Sequence, residues 1–178
     1  MSIYKSEVEK DLISKVEPVL ESMEFSLRDI EVIGVSNPIV RVTLDRPKEH
    51  QEKGQIGIED CEKVHRKLGP MFDLWDPVSG PYTLELSSPG EQAPLRTSEH
   101  FQEALGETIK FQTLEPFPMP APAKARKNWQ GRLLNLSEAL IEVEDDFGIH
   151  KVPLDQIKNA SWQRSWDTKS REGNKSCR

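Results

Sequence analysis

The chain of 178 residues holds only two cysteines, Cys61 and Cys177. Two thiols so placed build neither a disulfide framework nor a metal knuckle, and a reducing cytoplasm is the plain inference. No apolar run approaches the roughly 20 residues of a membrane span, and no secretory signal opens the chain. A cytoplasmic protein without a membrane partner is therefore expected. The four histidines, His50, His65, His100 and His150, stand far apart without the paired spacing of ligands. Catalysis needs convergent groups with matched proton affinities, or a metal, and neither pattern is present. Ser87 and Ser88 have no base at a recognisable spacing, and turn chemistry accounts for both. Glu142, Glu144, Asp145 and Asp146 crowd a hairpin tip, where acids are ordinarily solvated. A hydrolase working through clustered carboxylates has no support, so the expectation is a protein that is not an enzyme and has no cofactor or metal. No internal repeat is visible.

What is present is charge, unevenly spread. Residues 1–90 carry 11 Lys and Arg against 17 Asp and Glu, a net of −6. Residues 91–165 carry 9 against 11, and the tail from Trp166 carries 4 against 2. Phosphate binding requires a local excess of positive charge, so the first half is a poor nucleic-acid surface on average. An acidic half suits a basic protein partner, or serves solubility alone.

Val8, Leu12, Val16, Val19 and Met23, with Leu20 beside them, recur at helical steps and predict an amphipathic helix over residues 3–24. Pro18 inside it predicts a kink near Ser14. Phe25 to Val35 and Ile39 to Leu44 read as strands of an antiparallel hairpin turning at Gly34–Pro38, although the first alternates imperfectly. A polar mobile loop follows over residues 46–57. Cys61, Val64, Leu68 and Met71 or Phe72 give a second helix from Ile58, which Gly69-Pro70 threatens to shorten. Tyr82, Leu84 and Leu86 alternate with Thr83 and Glu85 as a third strand. These elements predict a small α/β domain over residues 1–90, with helices on one face of a three-stranded sheet.

The strand then meets Ser87-Ser88-Pro89-Gly90, followed by Pro94-Leu95, a sequence that turns the chain and marks an interdomain junction. Beyond it the texture changes. A short helix closed by Gly106 precedes five strand candidates: Thr108–Leu114, Trp129–Leu136, Leu140–Val143, His150–Pro153 and Lys158–Trp162. Leu154 to Ile157 reads as a single tight turn. Five short strands within residues 91–165 are the pattern of a small closed barrel, and residues 166–178 read as a disordered tail. Between the first two strands, Pro116, Pro118, Pro120 and Pro122 predict a protruding segment that does not pair. Lys124, Arg126, Lys127 and Trp129 follow it, basic residues beside an aromatic as in phosphate contact and base stacking. Arg96 and Arg132 extend this patch if the fold gathers them. Cys61 reads as a small core residue.

These pieces resemble the bacterial ribosome maturation factor RimP family. Val16-Glu17-Pro18-Val19-Leu20, Asp60-Cys61-Glu62-Lys63-Val64 and Pro81 through Gly90 carry the likeness, with weaker matches at Gly131-Arg132-Leu133 and Val152–Ile157. The resemblance implies a KH-like or ferredoxin-like N-terminal domain and an SH3-like (Sm-type) C-terminal barrel. It also implies binding to the immature small (30S) ribosomal subunit without catalysis. Together with the charge division, the expectation is a monomer whose acidic half faces a basic ribosomal protein and whose basic loop addresses that protein or 16S rRNA. A free-standing RNA-binding regulator acting through the barrel is the alternative. The family's junction continues Pro-Gly-Leu-Asp-Arg-Pro-Leu, whereas Glu91, Gln92 and Ala93 stand here in place of Leu, Asp and Arg. The charge pair bracing the two domains is thus missing.

Overall fold

The structure, a computed structural model, describes residues 2–90, 92–117, 124–137 and 139–163. Helix α1 (Glu7–Glu21) begins at a capping box. The Ser6 hydroxyl accepts from the Glu9 N–H at 3.3 Å, and the Glu9 carboxylate accepts from the Ser6 N–H at 2.9 Å; each satisfies an amide that has no partner inside the helix. Leu12, Val16 and Leu20 are buried on one face, while Val8 stays exposed. The helix runs on through Pro18.

Strands β1 (Ser26–Ile33) and β2 (Ile39–Asp45) form the expected antiparallel hairpin. A 3-10 turn (Lys48–Lys53) lies in the loop that follows. Helix α2 (Ile58–Trp75) then passes through Gly69-Pro70 and ends at Asp76, whose backbone is left-handed at φ 42°. It returns the chain to β3 (Thr83–Ser87), parallel to β2, in the sheet order β1-β2-β3. Tyr82, Leu84 and Leu86 lie half-buried against the core that Val64, Leu68 and Phe72 of α2 share with Ile30, Val40, Val42 and Leu44.

The second sheet departs from the expectation in three ways. It has six strands, not five, because Gln92–Pro94 forms a short strand, β4, just past the corner. After α3 (Ser98–Glu103) come β5 (Thr108–Phe117), β6 (Arg126–Leu136), β7 (Leu140–Asp145), β8 (Gly148–Pro153) and β9 (Ile157–Gln163), ordered β4-β9-β5-β6-β7-β8. The predicted tight turn appears as Leu154–Gln156. The hydrogen-bonded order runs from β4 to β8 without pairing those two edges, so the ladder is not closed into a barrel. Strand β4 is three residues long, ends in a proline without an N–H, and gives its pairing to β9. Thirdly, β5 and β6 reach further than predicted. Pro116 lies inside β5, and Phe117 pairs with Arg126 across a register shift. Shifts of this kind are where a strand accommodates proline. Pro118, Pro120 and Pro122, the predicted tail and Cys177 lie outside the described residues.

The second core gathers Leu95, Phe101, Ile109, Phe111, Trp129, Leu133, Ile141 and Ile157. One of its members comes from the far end of the chain. Ile3 is buried in it, with its N–H donating to the Arg96 carbonyl at 2.9 Å and that of Tyr4 to the Ile157 carbonyl at 2.9 Å. Ser2 bridges Thr97. The N-terminal arm therefore packs with the six-stranded sheet before the chain enters α1.

Candidate functional site

Strand β1 carries a bulge between Leu27 and Asp29, which is why its alternation is imperfect. A bulge re-aims side chains, and here Leu27, Arg28, Asp29 and Ile30 are buried in succession. Arg28 reaches across to the second half of the molecule. Its Nε donates to the Pro94 carbonyl at 2.7 Å and its Nη1 to Glu103 of α3 at 2.7 Å, with Asp45 of β2 at 3.6 Å. Arg96, just past β4, reaches back. Its Nη2 donates to Glu17 of α1 at 2.7 Å and to the Leu27 carbonyl at 3.3 Å, while Nε donates to the Arg28 carbonyl at 3.4 Å. Lys5 adds a third tie. Its ammonium lies 2.8 Å from the Asp29 carboxylate and donates to the Ile30 carbonyl at 2.8 Å, almost out of solvent. Charge-assisted bonds of this kind are about twice as strong as neutral ones. The junction is thus braced by crossed arginines, although Gln92 and Ala93 stand where the family's charge pair would be. Ala93 is fully buried.

The corner itself forms one wall of an open cleft of about 430 Å³. Ser87, Ser88 and Pro89 line it with Asp29, Glu31, Arg41 and Glu85 of the first sheet and Pro94, Asn159 and Ser161 of the second. Gly90 lies beyond, left-handed at φ 60°, and Leu95 is buried in the second core with its N–H on the Ala160 carbonyl. Arg41 grips Glu85 at 2.9 and 3.4 Å and approaches Glu31 at 4.0 Å. Burial pushes the Glu31 carboxyl above its ordinary value, and neighbouring Asp29 adds to the shift. Burial likewise pushes Asp29 up, against the pull of Lys5. Three carboxylates against Arg41 and the shielded Lys5 leave the cleft acidic. Such a cleft attracts cationic side chains.

The basic run after the proline segment sits in a strand, and this changes what it offers. By alternation along β6, Trp129 points inward, 4% exposed, and is not available for stacking on a base. It stacks instead on Phe111, with ring centroids 5.5 Å apart, and meets Phe117 and His150 edge-on. Arg126 lies over the indole at 3.9 Å and pairs with Asp145. The His150 Nε2–H donates to the Asp145 carboxylate at 3.0 Å, and burial, with Arg126 second, holds the imidazole below its usual range. Lys127 donates to the Leu114 carbonyl at 2.8 Å, and Lys124 is exposed. Arg132 projects from the same strand and donates to the Gly106 carbonyl at 2.9 Å. Arg96 is buried in the brace and Trp129 in the aromatic cluster, while Arg126 is half-buried over the indole and paired with Asp145. The six residues therefore do not form one continuous basic patch.

Residues 15–92 match the model of the RimP N-terminal domain. This chain carries a RimP N-terminal domain. The match begins within α1, spans the three-stranded sheet and α2, and ends in β4, so it takes in the Ser-Ser-Pro-Gly corner. RimP is a family of ribosome maturation factors, and among the described residues no helix is long and apolar enough to cross a membrane. Among the described residues no three His, Cys, Asp or Glu side chains gather as a metal site. Cys61 packs against the first core, and burial pushes its thiol up, away from reactivity. Arg28, Glu103 and the N-terminal arm went unread in the sequence. The broken alternation at Leu27–Ile30 was the one visible signal, since four consecutive buried positions in a strand imply a bulge.

Proposed function

We propose that this protein binds the immature small ribosomal subunit and assists its assembly without catalysis. The observation that carries the reading is the acidic cleft at the corner, where Asp29, Glu31 and Glu85 face the wall formed by Ser87, Ser88 and Pro89. A basic ribosomal protein is the partner whose charge complements it, with 16S rRNA alongside. Complementarity of this kind mainly orients and accelerates encounter, and weakens as salt rises. In this reading the protein acts as a cytoplasmic monomer. Residues 1–90 form a KH-like or ferredoxin-like domain and residues 91–165 an SH3-like (Sm-type) domain, followed by a tail. Lys124, Lys127 and Arg132, the exposed members of the basic set, face the subunit.

Co-sedimentation of the full chain with small subunits, against naked RNA at equal concentration, tests this. Retention on subunits is expected, and a Glu31→Lys, Glu85→Lys variant should lose about tenfold or more in affinity. Retention on RNA alone would favour a free-standing RNA-binding regulator.

A further inference from the structure

Beside the acidic cleft, and sharing Asn159 and Ser161 with it, lies a second depression on the outer face of β5, β6 and β9. No carboxylate lines it, nor the smaller hollow adjoining it around Lys110, Gln130 and Ser161. In a chain of net charge −6, a surface without a single acid is a departure from the average. Six of its residues fall into two rows straight across three strands, and Arg126, which is paired with Asp145, also lines it. Ser161, Lys110 and Gln130 pair in one row, and Asn159, Gln112 and Asn128 in the next. Strands stand about 4.8 Å apart, and rows two residues apart are separated by about 6.6 Å. Gln112 donates to the Asn128 side-chain oxygen at 3.1 Å, which orients both amides. The side chains of Lys110, Gln130, Asn159 and Ser161 make no hydrogen bond or ion pair among the described residues.

We infer that this face binds single-stranded RNA. Lys110 supplies an uncommitted cation for a phosphate at the centre of the face. The amides offer both donors and acceptors, as needed to read the edges of unpaired bases, and single strands expose those edges. The absence of carboxylates removes the repulsion that the rest of the surface presents to phosphate. An extended basic peptide fits the other side of Asn159 and Ser161, where the acids stand. The inference deepens the subunit-binding reading and rests on it, by separating an RNA contact from a protein contact on either side of β9.

The test uses the full chain and a mixed-sequence single-stranded RNA of about 20 nucleotides, followed by fluorescence anisotropy. Wild type should bind with an affinity that falls as salt rises. Lys110→Glu should weaken binding about tenfold, and the slope of log affinity against log salt should flatten by about 0.7 for each phosphate left without its cation. Asn128→Asp, which changes one atom, should weaken it in the same direction. Lys10→Glu, on the exposed side of α1, should leave it unchanged, and superimposable melting curves show that each variant folds. A wild type that ignores this RNA, a Lys110→Glu variant that binds it as wild type does, or tighter binding of a basic peptide to this face would overturn the inference. If wild type sediments with small subunits yet ignores naked RNA, this inference fails and the subunit reading stands. If it binds RNA through Lys110 yet leaves subunits unbound, the reverse holds.

Discussion

The two halves of the molecule reach stability by different routes. The three-stranded sheet is covered by α1 and α2, and its core is helix against strand. Among the described residues the six-stranded sheet has the short α3, the Leu154–Gln156 turn and the N-terminal arm beside it, and it surrounds an apolar cluster with a stacked aromatic centre. The first half displays its chemistry across its three strands and at the corner, as carboxylates around a cleft. The second displays it on the outer faces of strands, where alternation leaves every other side chain uncommitted. Charge follows the same division. Acids dominate the first 90 residues, and the carboxylate-free face belongs to the second part. Two different surfaces meet along one strand, β9, and the crossed arginines, with Lys5 beside them, tie the halves together.

The sharpest way to break this comparison is to damage one half alone. A Cβ at Gly131 would stand 2.5 Å from the Glu144 carbonyl oxygen and 2.6 Å from a Val143 methyl. Gly131→Val should force β6 from β7 and lose about 3 kcal/mol or more, measured by urea denaturation. If the halves are separable, amide exchange will accelerate in β6 and β7 while α2 keeps its protection; equal acceleration in α2 would mean one cooperative unit. Next in size is the brace. Arg28→Ala leaves Glu103 and the Pro94 carbonyl without their buried donor and should cost about 3 kcal/mol. Calorimetry should then resolve two transitions where wild type shows one. A single transition for the variant would show that the brace does not couple the halves.

A milder change addresses the return arm. Glu17 is 40% exposed at its side chain, so Glu17→Gln should lower stability by less than about 1 kcal/mol, with the loss shrinking as salt rises. The smallest effect concerns the cleft. Burial raises the folded-state pKa of Glu31 above its unfolded value. The ionised carboxylate is therefore disfavoured in the fold, and the stabilising contribution of the protonated group is present at acid pH and lost as pH rises through the folded value. Glu31→Gln should then raise the melting temperature slightly at neutral pH, and the gain should vanish below the ordinary carboxylate range, near pH 4. A gain that persists unchanged in acid would exclude the electrostatic cause.

Both helices, the hairpin, and most strands of the second sheet were legible because each follows a local period. Leu12, Val16 and Leu20 recur at helical spacing, and Ile109, Phe111 and Thr113 alternate along β5. The strand β4 was not legible, because three residues ending in proline carry no periodic signal. The basic run was read as loop because four prolines precede it, yet Arg126 opens β6 opposite Phe117. Pairing with β5 outweighed the local composition. Of the candidate binding residues, Lys124, Lys127 and Arg132 face outward, Arg96 and Trp129 are buried, and Arg126 is half-buried against Trp129 and Asp145.

By itself the sequence determined the elements, the change of texture at the Ser-Ser-Pro-Gly corner, the uneven charge and the RimP-family likeness. Periodicity, turn chemistry and charge are written into neighbouring residues. Only the tertiary structure decided that Arg28 meets Glu103, 75 residues away, that Ile3 packs into the second core, and that six polar side chains from three strands form a face without acids. Each depends on register, a bulge or an unpaired edge. Those are properties of strands far apart in the chain, and no local window contains them.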